Sequence, residues 1–296
     1  MKQINDEKRF NNIATIILMI MAIFALLPIV LIVIASFTSE HALQSNGYSF
    51  LPKELSLDAY YYLINQGSLI LRSYGVSILV TVVGTIASVL ITTTLAYPMS
   101  RKNFKYANIL SFFVFFTMLF NGGIVASYIM WSSYFHISNS ILALILPNYL
   151  VTAFNVFLVK NYYSNNIPDA LIESAQIDGA SELLIFWKII LPLSVPTVAT
   201  ISLFTALIYW NDWTNALYYV TDPKYFGIQN LLIKIMNNVQ FLKSGSSNLL
   251  GLGNVDLPGT SVRMAMAVIG ILPIVIIYPF IQKYFIKGIV VGAVKG

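Results

Sequence analysis

Six apolar runs constrain this chain more than anything else in it: Ile13–Phe37, Leu69–Pro98, Ile109–Trp131, Ile141–Val159, Val195–Leu217 and Met264–Phe285. A helix needs about 20 apolar residues to cross the hydrocarbon core of a bilayer. Inside that core no water pairs the backbone, so a spanning segment must satisfy its own N–H and C=O groups. The sequence therefore predicts an all-α membrane protein with six transmembrane helices. The first run is too long for a cleaved signal peptide, whose apolar core is about 7–15 residues. It reads as an uncleaved span, bent or tilted at Pro28. Only 10% of residues are charged and 57% are hydrophobic, a balance that excludes an ordinary soluble domain. Cysteine is absent, which excludes disulfides, thiolate metal sites and a cysteine nucleophile.

An even number of spans puts both termini on one side. Eleven of the 17 Lys and Arg residues then share that side, at span ends such as Lys8–Arg9, Arg101–Lys102 and Lys283. The positive-inside rule makes it the cytoplasm of a multi-pass protein of the cell membrane. The net charge of +5 is thus an orientation signal; it is dispersed and makes no nucleic-acid footprint. Residues 1–12 are expected as a cytoplasmic N-terminus, 13–288 as the membrane domain and 289–296 as a cytoplasmic tail. Pro98 is expected to end the second span. In the long outer segment Tyr218–Arg263, a short amphipathic helix is expected over Ile228–Val239 and a flexible Gly/Ser/Asn-rich stretch over Ser244–Gly259.

One polar stretch, Asn165–Pro192, separates the fourth and fifth runs. Pro168 suits a first helical turn, where its missing N–H is not needed. Asp169, Glu173 and Gln176 then share one helical face; Leu171, Ile172 and Ala175 share the opposite one. Gly179 is placed to end that helix in a left-handed conformation, and Ser181 to cap a second helix running to Pro192. From helix physics alone, an amphipathic connecting helix on the membrane surface fits as well. The pattern Glu173-Ser174-Ala175, then Gly179, then Ile189-Ile190-Leu191-Pro192 resembles the EAA loop of ABC-importer permeases. Ser174 stands where Ala is the commonest residue.

Three further clusters interrupt the apolar runs with polar groups. Asn121-Gly122-Gly123 lies within the third run, where glycines weaken a helix and free backbone groups. Such irregular backbone survives only when it is buried in protein or lines a cavity. It reads either as a wall of a translocation path, with Tyr128 and Trp131 beyond it, or as close helix packing through small residues. The fourth run holds Pro147, Asn148 and Asn155; Asn155 needs a hydrogen-bond partner, in a neighbouring helix or in a polar substrate. Trp210, Asn211 and Asp212 interleave ring, amide and carboxylate near the end of the fifth run. An ionisable group there is a functional-site hypothesis, and an interfacial tryptophan belt is the plainer alternative.

Beyond the loop, FNGGIV at Phe120–Val125, LPLSVP at Leu191–Pro196, WNDW at Trp210–Trp213 and YPFIQKYFIKG at Tyr278–Gly288 resemble the MalG-type carbohydrate permeases, over nearly the whole chain. The likeness is strongest to their polysaccharide and complex-oligosaccharide branch. One departure is Ala126-Ser127-Tyr128, where that branch often has Pro-Thr-Tyr. The resemblance implies a type I ABC-importer permease with a cytoplasmic coupling loop at residues 161–192. It implies a second, homologous permease, two copies of an ATP-binding subunit, an extracellular substrate-binding protein and an oligosaccharide substrate. Glu173, Ala175 and Gly179 match the motif and, with Asp169 and Ala180 beside them, become the implied ATPase-coupling residues. ATP and Mg belong to the partner ATPase, and this chain is expected to bind no cofactor. It carries no GxxxxGK[ST] phosphate loop and no Gly-Lys pair, so it supplies no Walker-type ATPase site, and the resemblance implies a transport subunit rather than an enzyme. His41 and His136 belong to no HExxH pattern. The rival reading is an ion-coupled secondary sugar transporter, for which Asp212 is the main candidate.

Overall fold

The computed structural model of the protein describes residues 2–243 and 259–293. Among them the regular structure is helical, apart from one antiparallel bridge between Thr38 and Leu55. The chain divides into two compact units, residues 1–68 with 232–273 and residues 69–231 with 274–296.

The first unit opens with α1 (Lys2–Ser36), which takes in the residues expected as an N-terminal tail and runs through Pro28 without a break. Its side chains are exposed almost throughout from Lys8 to Val30, as suits a helix whose surroundings are as apolar as itself. The helix α2 (Glu40–Asn46) starts at Ser39, whose hydroxyl accepts the Ala42 N–H at 3.1 Å, and stops at Gly47 with φ 73°. A third helix, α3 (Asp58–Asn65), follows. The amphipathic helix expected in the long outer segment is present and extends four residues further, as α14 (Ile228–Lys243). The last helix, α15 (Thr260–Ala293), begins against Glu40. That carboxylate accepts the Thr260 N–H at 2.9 Å, the Ser261 N–H at 2.9 Å and the Ser261 hydroxyl at 3.0 Å. A negative group at the unpaired N–H groups of a helix start is the favoured electrostatic arrangement.

The second unit is built on α4 (Gly67–Ser100). Ser73, Ser77, Gly84, Ser88, Thr92 and Ala96 are buried along one face of it, and small side chains let neighbouring helices approach closely. At Gly84 the approach is closest: a Cβ there would lie 2.6–2.8 Å from ring atoms of Tyr209. Pro98 does not end this helix as expected; α4 continues to Ser100. Proline's fixed φ is helical, so near a helix end it costs one backbone bond without forcing a stop.

The third run is not one straight helix. It forms α5 (Ala107–Leu119) and α6 (Gly123–Tyr128), the latter prolonged by π-helical turns at Ile129–Tyr134, and the two parts are bent by 118°. Asn121 Oδ1 accepts the Gly123 N–H at 2.8 Å and Gly123 has φ 80°, so a side chain and a left-handed glycine replace helical bonds there. The fourth run is likewise interrupted. The helix α7 (Leu142–Ile145) is a single turn, and α8 (Ala153–Asn166) starts late and runs seven residues past the expected end. Between them stand Pro147, which has no N–H, and Asn148 with φ 68°. The second helix expected from Ser181 to Pro192 is present as α10 (Glu182–Ile185), π-helical turns at Phe186–Ile190 and α11 (Leu191–Leu193). It bends by 80° at Ser194 into α12 (Val195–Asn211). Asp212 interrupts it before α13 (Thr214–Tyr219).

Among the described residues, three unbroken helices are long and apolar enough to cross a membrane, and up to five spans result if each bent pair is one. The sixth run reaches Ala293 as helix, so residues 289–293, expected as a tail, continue α15. Residues 294–296 and most of the stretch expected to be flexible, 244–258, lie outside the described residues.

Candidate functional site

The polar stretch folds as a helix, a glycine corner and a second helix. Pro168 takes the cap position with extended backbone, one residue earlier than expected, and α9 covers Asp169–Ile177. The helix ends in two characteristic bonds: the Gly179 N–H donates to the Gln176 carbonyl at 3.0 Å and the Ala180 N–H to the Ala175 carbonyl at 2.9 Å. This pairing requires a left-handed residue between them, and Gly179 has φ 80°. Ser181 then caps α10, its hydroxyl accepting the Leu184 N–H at 3.3 Å. Motif positions thus acquire physical reasons. Ala175 and Ala180 are half-buried against a core cluster that also holds Ile172, Ile185 and Phe186, and they contribute backbone to the corner. Glu173 and Gly179 are exposed.

The faces of α9 differ from the sequence expectation at Leu171, and Ile177 adds a residue assigned to neither face. Leu171, placed on the apolar face, is 40% exposed, and Ile177 is 86% exposed. Ile177 was absent from the sequence-based set. Its signal was there, an isoleucine directly before Asp178-Gly179 in a polar stretch, but core residues and contact residues look alike in one sequence.

Two ties hold this corner to the end of α4. Lys102 Nζ lies 2.7 Å from Asp169 Oδ2, with both side chains largely exposed. The hydrogen bond from Lys102, then its charge, hold the Asp169 carboxyl below the usual carboxylate range. The second tie uses both oxygens of Glu182: Tyr97 donates its hydroxyl to Oε2, and Gln176 Nε2 donates to Oε1 at 2.7 Å. Beside them a half-open cavity of about 440 Å³ is lined by Tyr97, Arg101, Phe104, Gln176, Glu182 and Phe186 among others. Neither Tyr97 nor Glu182 was legible as a site residue, because their pairing spans 85 positions.

The candidate path residues divide by surroundings. Asn121, Gly122 and Gly123 are exposed at the break between α5 and α6. Tyr128 is exposed on one face and stacks on Tyr219 with ring centroids 5.9 Å apart. Trp131 is half-buried and packs beside Phe135. Asn155 is buried and donates to Thr205 Oγ1 at 3.3 Å, joining α8 to α12. Trp210, Asn211 and Asp212 do not act as one group. Trp210 is buried with its ring 6.2 Å from that of Tyr74, whereas Asn211 is exposed and its amide donates to the Leu207 carbonyl. Asp212 Oδ1 accepts the Tyr149 hydroxyl at 3.1 Å and the N–H groups of Thr214 at 2.9 Å and Asn215 at 3.2 Å. Next to it the Asn148 amide donates to Asn215 Oδ1, and the Asn215 amide to the Pro147 carbonyl, each at 3.1 Å. These bonds satisfy the backbone freed where the fourth and fifth runs break. No group of three or more His, Cys, Asp or Glu able to hold a metal occurs among the described residues.

Comparison with known proteins agrees with this architecture. Residues 84–291 match the family described as binding-protein-dependent transport system inner membrane component. The polygalacturonan/rhamnogalacturonan transport system permease YtcP of Bacillus subtilis is 40% identical over 279 residues, 94% of this chain and 96% of that one. The trehalose/maltose transport system permease MalG of Thermococcus litoralis is 27% identical, over 94% of each chain. Among solved structures, a chain of a bacterial ABC transporter that imports the acidic polysaccharide alginate superposes with a TM-score of 0.78. It shares 29% identity and covers 95% of this chain and 98% of its own length.

Proposed function

Because the chain belongs to the family of binding-protein-dependent transport system inner membrane components, we propose that it is one permease half of an ATP-driven importer of oligosaccharides. In this reading it crosses the membrane six times with both termini in the cytoplasm. The fourth crossing uses the irregular segment 146–152 to join α7 to α8. A second permease completes the path, two ATP-binding subunits dock on the cytoplasmic side, one of them at α9, and an extracellular binding protein delivers the sugar. ATP and Mg stay with the ATPase.

The observation that carries the reading is the corner at Gly179. A short helix offers Glu173, Leu171 and Ile177 to solvent and ends where the chain leaves open space, since a Cβ on Gly179 would meet nothing within 4 Å. That space suits a close partner. An exposed isoleucine, with Asp178 beside it and Glu173 one turn before it, is the kind of anchor a protein groove desolvates. The secondary-transporter alternative loses support because Asp212 is already committed to Tyr149 and to two backbone N–H groups. A carboxylate that cycles protons or sodium must be free to exchange partners. For the sugar, the names of two relatives point to polymers rich in uronic acid, and oligogalacturonides are the first class to test.

The test is a pull-down of the tagged chain in mild detergent, beside Glu173→Lys, Gly179→Asp and Gly179→Asn. Asparagine tolerates the left-handed region and adds no charge, so it separates backbone strain from docking. The expected result is a P-loop ATPase and a second permease with the wild type, loss of the ATPase with Glu173→Lys and Gly179→Asp, and its retention with Gly179→Asn. A stable chain that brings no ATPase, and behaves identically in all variants, refutes the reading.

A further inference from the structure

The importer reading leaves open how movement of α9 reaches the membrane. Gly179 is a joint between α9 and the helices that follow, and a joint absorbs motion unless something bridges it. Besides the apolar packing of Ile172 and Ala175, two polar side-chain contacts among the described residues leave the α9 side for the end of α4 and the turn after it. The Asp169–Lys102 pair has side chains 52% and 81% exposed, and such pairs are screened by salt and hold weakly. The second contact is differently built. Gln176 stands before the corner and Glu182 after it, so the Gln176–Glu182 bond of 2.7 Å bridges the joint. The same carboxylate accepts the hydroxyl of Tyr97. Tyr97 is buried, with its ring 5.4 Å from that of buried Phe186. Hydrogen bonds to a charged acceptor are the strong, directional kind.

Resting on the importer reading, we propose that Glu182 is a positioning residue that carries movement of α9 across the Gly179 joint into α4. With the carboxylate in place, α9, α10 and the end of α4 move as one body. Without it, α9 pivots about Gly179 and the membrane helices stay behind. Glu182 touches no substrate and no nucleotide in this scheme; it acts through Gln176 and Tyr97.

The absence of cysteine makes the test direct. A single Asn211→Cys reporter is placed on the exposed end of α12, and its maleimide labelling is followed in the complex co-purified with its ATPase, with and without ATP plus vanadate. In the otherwise unaltered chain, nucleotide is expected to change the labelling rate at least about fivefold. Glu182→Ala is expected to keep the ATPase bound while reducing the change to less than about twofold. Glu182→Gln should retain the response, since its carbonyl accepts from Tyr97 while the Gln176 amide turns to meet its NH₂. Tyr97→Phe, which keeps the ring on Phe186 and removes only the hydroxyl, should lose most of it. A full response in both Glu182→Ala and Tyr97→Phe overturns the inference, and should Glu182→Ala lose the ATPase, the Tyr97→Phe result decides. A wild-type chain that binds no ATPase overturns the importer reading itself. An ATPase-bound complex whose reporter ignores nucleotide overturns the motion that Glu182 is proposed to carry.

Discussion

Replacing Gly84 with alanine tests whether close approach of α4 and α12 is what organises the second unit. The new methyl would lie 2.6–2.8 Å from Cζ, Cε1 and Cε2 of Tyr209, against an ordinary contact of 3.4 Å or more. The ring must therefore retreat by about 0.6–0.8 Å. It cannot do so freely, because the Tyr209 hydroxyl is buried and donates to the Ile145 carbonyl at 2.8 Å. A retreat of that size stretches the bond to the edge of hydrogen-bonding range. Overpacking of this kind costs about 1–3 kcal/mol, and a buried carbonyl left unpaired about 1–3 kcal/mol more. Alanine's better helix propensity returns about 1 kcal/mol. The expected net loss is about 1–5 kcal/mol, read as a fall in the unfolding midpoint in detergent. The same substitution in a Tyr209→Leu background, where the ring is gone, should cost close to nothing or stabilise. Equal losses in the two backgrounds would refute the reasoning, since the penalty would then not lie between Gly84 and the ring.

The remaining predictions use the carboxylates. Asp212→Asn keeps an oxygen for the Tyr149 hydroxyl and the two N–H groups, so transport should persist, whereas Asp212→Ala should destabilise the break by about 1–2 kcal/mol. Abolished transport with intact folding in Asp212→Asn would instead favour ion coupling. Glu40→Ala should lower stability by about 1–2 kcal/mol through loss of the α15 cap, with Glu40→Gln in between, both measured by unfolding in detergent. For Asp169, the folded pKa is depressed, first by the hydrogen bond from Lys102 and then by its charge. The tie is therefore present above the usual carboxylate pKa and is lost as pH falls through the lowered folded value. Hydrogen-exchange protection at the start of α9, taken relative to the intrinsic rate at each pH, should stay constant from neutral pH to about pH 5, fall only in stronger acid, and fall with added salt at neutral pH. Lower protection already at pH 6 would contradict the assignment.

Much of this molecule is legible residue by residue. Pro168, Gly179 and Ser181 are conformational instructions acting over two to five positions, and the corner they specify appears with a one-residue shift at Pro168. The break at Asn121-Gly122-Gly123 is legible for the same reason: two glycines and an amide acceptor weaken a helix wherever they stand. The interruption of the fourth run was only partly visible. Pro147 marks a disturbance, but whether the chain kinks or leaves the helix depends on whether distant groups meet the freed backbone. Here Asn215, 68 positions away, does so. The candidate path was the least legible part. Asn155, Trp210 and Asp212 look alike as polar or ring-bearing positions in apolar runs, yet each has a partner within the chain, while Asn121 and Asn211 face outward.

Composition and periodicity, then, determined the solvent. Runs of apolar residues with dispersed basic ends can satisfy their backbones only as helices in a membrane. The local chemistry of Asn165–Pro192 determined the corner, because caps and left-handed glycines need only their neighbours. Which polar groups meet was decided in three dimensions alone. Glu182 finds Tyr97 across 85 positions, and Asp212 finds Tyr149 across 63. The sequence spacing of such pairs carries no trace of their contact, since helix packing sets it. One close approach in that packing, Gly84 against the ring of Tyr209, is likewise unmarked by the hydrophobic pattern.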